Sequence, residues 1–288
     1  MSTHTLTSPF GEVHIDEQGA VFQGCQLGGV WVMPDTRTAP EFAAGQQLFP
    51  WPNRLRNGQW HDGEVLRQLE CTEPARSNAI HGLLRTVRFD VTTNTDTLRL
   101  RGVLEPESGY PWQIGCEFGA QLSEGAFTFT AAFENQSERA APWAYGSHPY
   151  LCLPGSAQFS LAADRVWMFD EQMIPTHSEA VAGEFDLHEP RRLGSFVLDH
   201  AFERTDRVLA RLSTPEHELA MWADEHCPYV QVFTPPPGSS LHSTGTAVAV
   251  EPMTALADAF NNGLGLRWLN PGETATLSWG LTLTPLGA

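Results

Sequence analysis

Two short segments of this chain carry residue types able to exchange protons near neutral pH. Gly146-Ser147-His148-Pro149-Tyr150-Leu151 holds a histidine between small residues and a proline. About a hundred residues on, Val250-Glu251-Pro252-Met253-Thr254 places a glutamate at the end of an apolar run. A histidine and a carboxyl group are the usual pair for general acid and base work, so proton transfer is the leading chemical theme. Taken singly, each also suits a bland role, the histidine as a hydrogen-bonded structural residue and the glutamate as a solvated one.

Two more polar segments invite a functional reading. Trp51-Pro52-Asn53-Arg54-Leu55-Arg56-Asn57-Gly58-Gln59-Trp60 sets Asn53 and Arg54 ahead of a turn closed by Gly58, with tryptophan at both flanks. Amide and guanidinium groups donate to hydroxyl oxygens in fixed geometry while an indole covers an apolar sugar face, so this segment suits a carbohydrate contact. It suits equally a structural turn whose arginines meet surface carboxylates. In Asn78-Ala79-Ile80-His81-Gly82-Leu83-Leu84-Arg85, Gly82 permits close approach of backbone or ligand, and His81 is then placed to hydrogen-bond a hydroxyl or carbonyl.

The elements that must hold these groups read as strands. Leu98–Leu104, Phe127–Phe133 and Thr276–Leu283 alternate with period two, the pattern of half-buried β-structure. Helical periodicity is scarce. Turn formers such as Gly28-Gly29, Pro106-Glu107-Ser108-Gly109, Leu153-Pro154-Gly155-Ser156 and Asn270-Pro271-Gly272-Glu273 separate the runs. Pro235-Pro236-Pro237-Gly238-Ser239-Ser240 resembles a linker, but strand-like residues lead into it and follow it, so it is expected to be a loop. Neither a composition break nor a repeat of 20 to 50 residues divides the chain. The expected architecture is all-β, a single large antiparallel β-sandwich domain over residues 1–288 with few short helices.

Composition narrows the function. The net charge is −17, from 34 acidic and 17 basic residues, and every basic residue is an arginine. Such a surface repels phosphate backbones and anionic membranes, so neither nucleic acid nor a membrane is an expected partner. Without lysine, Schiff-base and P-loop chemistry are excluded. Cys25, Cys71, Cys116, Cys152 and Cys227 are odd in number and widely spaced, which fits free thiols in a reducing compartment better than a disulfide framework or a thiolate zinc site. The eleven histidines show neither HxH nor HExxH spacing, so no metal site is expected. With no membrane-length apolar stretch and no leader-like start, the chain is expected to be soluble and cytoplasmic.

Four segments in this order resemble one family. Asn53-Arg54 with Asn57-Gly58, then His81-Gly82, then Gly146-Ser147-His148-Pro149-Tyr150, then Glu251-Pro252-Met253-Thr254 followed by Asp258-Ala259-Phe260-Asn261, look like the aldose 1-epimerases, or galactose mutarotases. The resemblance runs from about Leu48 to the end of the chain, helped by Gly109-Tyr110-Pro111-Trp112 and Leu269-Asn270-Pro271-Gly272-Glu273. It implies the galactose mutarotase-like supersandwich and interconversion of the α and β anomers of an aldose without a cofactor; the expected partner is a small-molecule aldose, and the expected state a monomer or homodimer. On the matching positions, Glu251 would be the general base and His148 the general acid. Arg54, His81 and Asn53 would contact the sugar, together with Asp199 of Val197-Leu198-Asp199-His200.

Two departures bear on substrate identity. Leu83 follows Gly82 where a second glycine is common, and Asn53 precedes Arg54 where many members have glycine. Three other readings compete. A hexose-6-phosphate 1-epimerase would use the same acid/base pair, with Arg56, Arg85 and Arg88 converging on the phosphate. A sugar-binding protein would keep the pocket and have no need of both Glu251 and His148. A glycosidase would need a second carboxylate roughly 5–10 Å from Glu251.

Overall fold

The computed structural model describes residues 2–39 and 41–287. Strands dominate it, and the expected all-β class holds. Among the described residues the only α-helix is the single turn Ala259–Asn262, accompanied by four short 3-10 turns.

The three alternating runs become the strands Thr97–Leu104, Ala126–Asn135 and Thr274–Pro285. They belong to a nine-stranded antiparallel sheet that continues through Ile114–Ser123, His217–Ala223 and Val208–Ser213 to the edge at Arg191–Arg192. Local chemistry sets the tight corners. Ser123 pairs with Ala126 across Glu124-Gly125, and Gly125 takes a φ of +62°, a left-handed conformation that glycine adopts without steric cost.

A second sheet has eight strands and carries the polar segments. Its order is Pro175–Ala180, Ala163–Phe169, Asp199–Arg204, Tyr229–Phe233, Val248–Met253, Gly146–Ser147 and Gln47–Leu48, with Tyr150–Leu151 also pairing to Val248–Met253. Every pairing is antiparallel. The proline-rich segment 235–240 is the loop between Tyr229–Phe233 and Val248–Met253, as expected. A four-stranded meander, Thr3–Ser8 to Val30–Met33, completes the larger sheets.

One apolar cluster joins all three sheets. It contains Val13 and Phe22 of the meander, Phe118, Phe129, Phe133 and Trp279 of the nine-stranded sheet, and Val230, Val232, Val248 and Val250 of the eight-stranded one. Alternation along Val248–Met253 sends Val248 and Val250 into this core, so Glu251 projects from the opposite face. That face is covered as well, because all six residues of the strand are buried. A glutamate there is desolvated by the architecture itself.

Candidate active site

The eight-stranded sheet explains how two residues a hundred positions apart come to touch. Residues 146–151 pair with Val248–Met253 at both ends, Gly146 with Met253, and Tyr150 and Leu151 with Ala249 and Val248. Between those ends the chain bows out at His148-Pro149, since proline has no N–H to continue the ladder. Backbone bonds from His148 N–H to the Gln46 carbonyl (2.9 Å) and from Gly45 N–H to the His148 carbonyl (2.8 Å) hold the bow. The imidazole is thereby turned onto the neighbouring strand, with Nε2 at 3.2 Å from Glu251 Oε1. Tyr150 stacks on the His148 ring at 5.3 Å between centroids.

Cross-strand register adds the next groups. Glu251 lies opposite Gln231, and Gln231 opposite Ala201. Asp199, two residues from Ala201 and on the same face, accepts a 2.6 Å hydrogen bond from Gln231 Nε2. His81 approaches from outside the sheet. It takes a φ of +63° and Gly82 follows at +67°, while the His81 N–H donates to the Asn53 carbonyl at 2.8 Å. The left-handed pair turns the His81 ring edge-on to His148, 5.3 Å between centroids and 85° between planes.

Arg54 is buried, and three of its five N–H donors are engaged. Nε and Nη2 donate to the two oxygens of Glu73 at 2.9 and 3.0 Å, and Nη1 donates to Asn53 Oδ1 at 3.2 Å. A planar guanidinium held this way is fixed in position, so its field acts on the site from a set direction. Asn53, with a φ of +56°, places its side chain on Arg54.

Burial dominates the proton affinities. It raises the Glu251 carboxyl well above the usual carboxylate range; the charge of Asp199 adds to the rise and Arg54 opposes it. Burial pushes His148 down to about 4. His81 falls well below its ordinary value, through burial first, then the proximity of His148, Arg54 and Arg85. Near pH 7 both rings are therefore neutral, and Glu251 holds its proton more tightly than an exposed carboxyl does. When Glu251 carries its proton, moving it across the 3.2 Å contact from oxygen to nitrogen turns a neutral pair into a carboxylate and an imidazolium.

Buried polar atoms normally have partners. Here Glu251 Oε2, His148 Nδ1, His81 Nδ1 and Gln231 Oε1 are all buried without one. Donor and acceptor capacity is left open around a single acid/base contact, an arrangement that a polyhydroxylated molecule complements.

A family model for aldose 1-epimerase matches residues 2–282. The chain belongs to the aldose 1-epimerase family. Among curated proteins it is similar to the uncharacterised protein YihR of Escherichia coli strain K12, 32% identical over 262 residues that span 88% of this chain and 82% of that one. Among solved structures it resembles a GalM/aldose epimerase homologue from C. elegans, with a TM-score of 0.85 at 15% identity over 99% and 100% of the two chains. It also resembles a putative aldose 1-epimerase from E. coli K12, with a TM-score of 0.82 at 21% identity over 99% of each chain. A galactose 1-epimerase from Lactobacillus acidophilus gives a TM-score of 0.78 at 19% identity, covering 98% of this chain and 93% of that one. These three likenesses establish the mutarotase-like fold.

Within this family member, the structure brings Glu251, His148, His81, Arg54 with Asn53, and Asp199 to one region. It does not gather the three arginines that a sugar phosphate would need. Arg56 is bonded to Asp170 and Gln172 of the 170–174 turn, and Arg85 donates to the Gly82 carbonyl. Arg88 pairs with Glu17 at 2.8 Å and lines a depression on the nine-stranded sheet with Asp90 and Arg101. Among the described residues no group of three or more His, Cys, Asp or Glu side chains is placed to hold a metal ion.

Sequence reasoning missed Gln231 and Glu73. Gln231 carried a usable signal, a lone amide in the middle of the apolar strand Tyr229-Val230-Gln231-Val232-Phe233. Glu73 carried none, because only the fold reveals that a surface-like segment turns its carboxylate onto Arg54.

Proposed function

We propose that the protein is an aldose 1-epimerase that interconverts the anomers of a free hexose such as glucose or galactose, with Glu251 as base and His148 as acid. The observation that carries this reading is the direct 3.2 Å contact between His148 Nε2 and Glu251 Oε1. An acid and a base that touch suit a substrate whose two reacting oxygens share one carbon, and a cyclic hemiacetal is such a substrate.

Sugar hydroxyls that donate to Glu251 favour its carboxylate form, and the pair's proton then resides on His148. The carboxylate removes the proton from the C1 hydroxyl, and the O1–H electron pair becomes the C1=O π bond. The C1–O5 bond breaks as His148 Nε2 protonates O5. Rotation about C1–C2 presents the other carbonyl face, and reclosure returns both protons to their starting groups. Positioned acid and base groups contribute about 10²–10⁴-fold each, which suits a reaction that water already permits. Arg54, His81, Asp199 and Gln231 orient the ring, and the dispersal of Arg56, Arg85 and Arg88 supports a neutral sugar over a 6-phosphate.

The test is exchange NMR of the anomeric protons of D-glucose and D-galactose at equilibrium, with wild type, Glu251→Gln and His148→Asn. Wild type is expected to accelerate exchange, and each variant to lose at least about 100-fold while still binding sugar. Equal exchange rates in all three proteins overturn the assignment. Exchange restricted to hexose 6-phosphates overturns the choice of substrate.

A further inference from the structure

A fifth open polar atom lies on the same sheet face as the acid/base pair. The indole Nε1 of Trp167 is buried without a partner. Trp51, Trp143 and Trp279 share that property, but they lie in the large core, at most 3% exposed, where no ligand reaches. Trp167 is half-buried and packs against a separate small cluster of Ala201, Met253 and Leu256.

Register fixes its place. Val166 pairs with Phe202 and both enter the core, so Trp167 projects to the opposite face beside Ala201. Ala201 pairs with Gln231 and Gln231 with Glu251. Trp167, Ala201, Gln231 and Glu251 therefore form one row across four strands. With strands about 4.8 Å apart, the two ends of the row are roughly 14 Å apart at Cα. Glu251 and Trp167 reach inward from those ends. The indole packs over the short side chain of Ala201, the neighbour of Gln231 in the row. Phe169 packs against the same cluster, and Asp199 and Phe233 pair in the next row, so the far end has an aromatic flank and a carboxylate beside it.

Resting on the proposed epimerase reading, we infer that Trp167 is a specificity-determining residue for the end of the pyranose remote from C1. With O1 held at Glu251, the ring position farthest along the row is C4. The indole presents its Nε1 edge to that end of the ring, and Nε1–H donates to the C4 hydroxyl oxygen. The open valence of Nε1 is filled only when a sugar with an oxygen at C4 is bound.

The experiment measures sugar binding by NMR titration, in the Glu251→Gln background so that anomerisation does not interfere. The probes are D-glucose, 2-deoxy-D-glucose and 4-deoxy-D-glucose, against Glu251→Gln and Glu251→Gln/Trp167→Phe. Phenylalanine keeps a ring over Ala201 and removes only the N–H donor. The expected result is a loss of roughly three- to tenfold in affinity for D-glucose and 2-deoxy-D-glucose, and no loss for 4-deoxy-D-glucose. An equal loss for all three sugars, or none for any, overturns the inference, since a purely structural role does not distinguish one hydroxyl. A loss that spares 2-deoxy-D-glucose overturns the assignment to C4. Exchange NMR on wild type separates the two claims. Turnover without Trp167 selectivity sinks this inference alone, and selective binding without turnover sinks the epimerase reading alone.

Discussion

At the scale of single residues, the acid/base pair is held against the chain's own stability. Burial and Asp199 raise the folded-state proton affinity of Glu251, so its favourable contribution is present below its unfolded pKa of about 4.3 and is lost as pH rises through the folded value. His148 behaves oppositely. Its folded pKa is lowered to about 4, so its contribution is present above its unfolded pKa of about 6.5 and is lost as pH falls toward about 4. Glu251→Gln, which keeps the shape without the titration, is expected to melt above wild type at pH 8 by roughly 1–2 kcal/mol, a few degrees. His148→Asn is expected to flatten the decline in stability between pH 6.5 and 4, with His81 retaining part of it because burial lowers that ring as well. Thermal melts at pH 4.5, 6.5 and 8 check both expectations. A Glu251→Gln midpoint at or below that of wild type at pH 8 removes the argument that this carboxyl is strained by desolvation. Both residues stand out in the sequence because of their flanks. Their mutual contact does not, since nothing local records that residues 146–151 and 248–253 pair.

At the scale of elements, the site depends on a few backbone conformations that hold loops against the sheet. His81 is aimed by the left-handed step His81-Gly82, which packs tightly on the segment just before Trp51. A Cβ added at Gly82 would lie 2.2 Å from the Phe49 carbonyl oxygen, which already accepts from Leu83 N–H at 2.7 Å. Gly82→Ala combines a disfavoured φ with a backbone clash, so the loop must move. A loss of about 2–4 kcal/mol in stability and at least tenfold in kcat/KM is expected, read by urea titration and anomeric exchange. An active, fully stable Gly82→Ala protein would show that the loop carrying His81 has a second packing available. Strands such as Ala126–Asn135 are legible in sequence because burial on one face writes itself locally as alternation. The order of strands within a sheet is not. Asp199, Gln231 and Glu251 fall on neighbouring strands through pairings of distant segments, and the period-two pattern is silent about partners. Trp167 illustrates the same limit, since its register and not its local sequence places it on the face of Glu251.

At the scale of the whole molecule, the sheet that carries no catalytic candidate still supports the site. Phe133 of the nine-stranded sheet stacks on Phe49 at 4.0 Å and 6° between planes, and it also meets Phe118, Trp143 and Tyr145. Phe49 supplies the carbonyl that Gly82 closes on, and its neighbour Leu48 pairs with Gly146 at the start of the His148 segment. A single ring in the core thus backs both histidine-bearing segments. We propose on this basis that residues 1–288 unfold as one cooperative domain. Truncating Phe133 to alanine is expected to remove about 3–5 kcal/mol. The unfolding midpoint should then fall on the order of 10 °C in a chain of this size. Far-UV circular dichroism reports the sheets and near-UV circular dichroism the tryptophan environments. Both should lose signal at the same temperature in wild type and in Phe133→Ala, displaced together. A variant that loses its near-UV signal first while the sheet signal persists would show that the site-bearing sheet and the nine-stranded sheet fold as separable units, and that Phe133 acts on the histidines only through local packing.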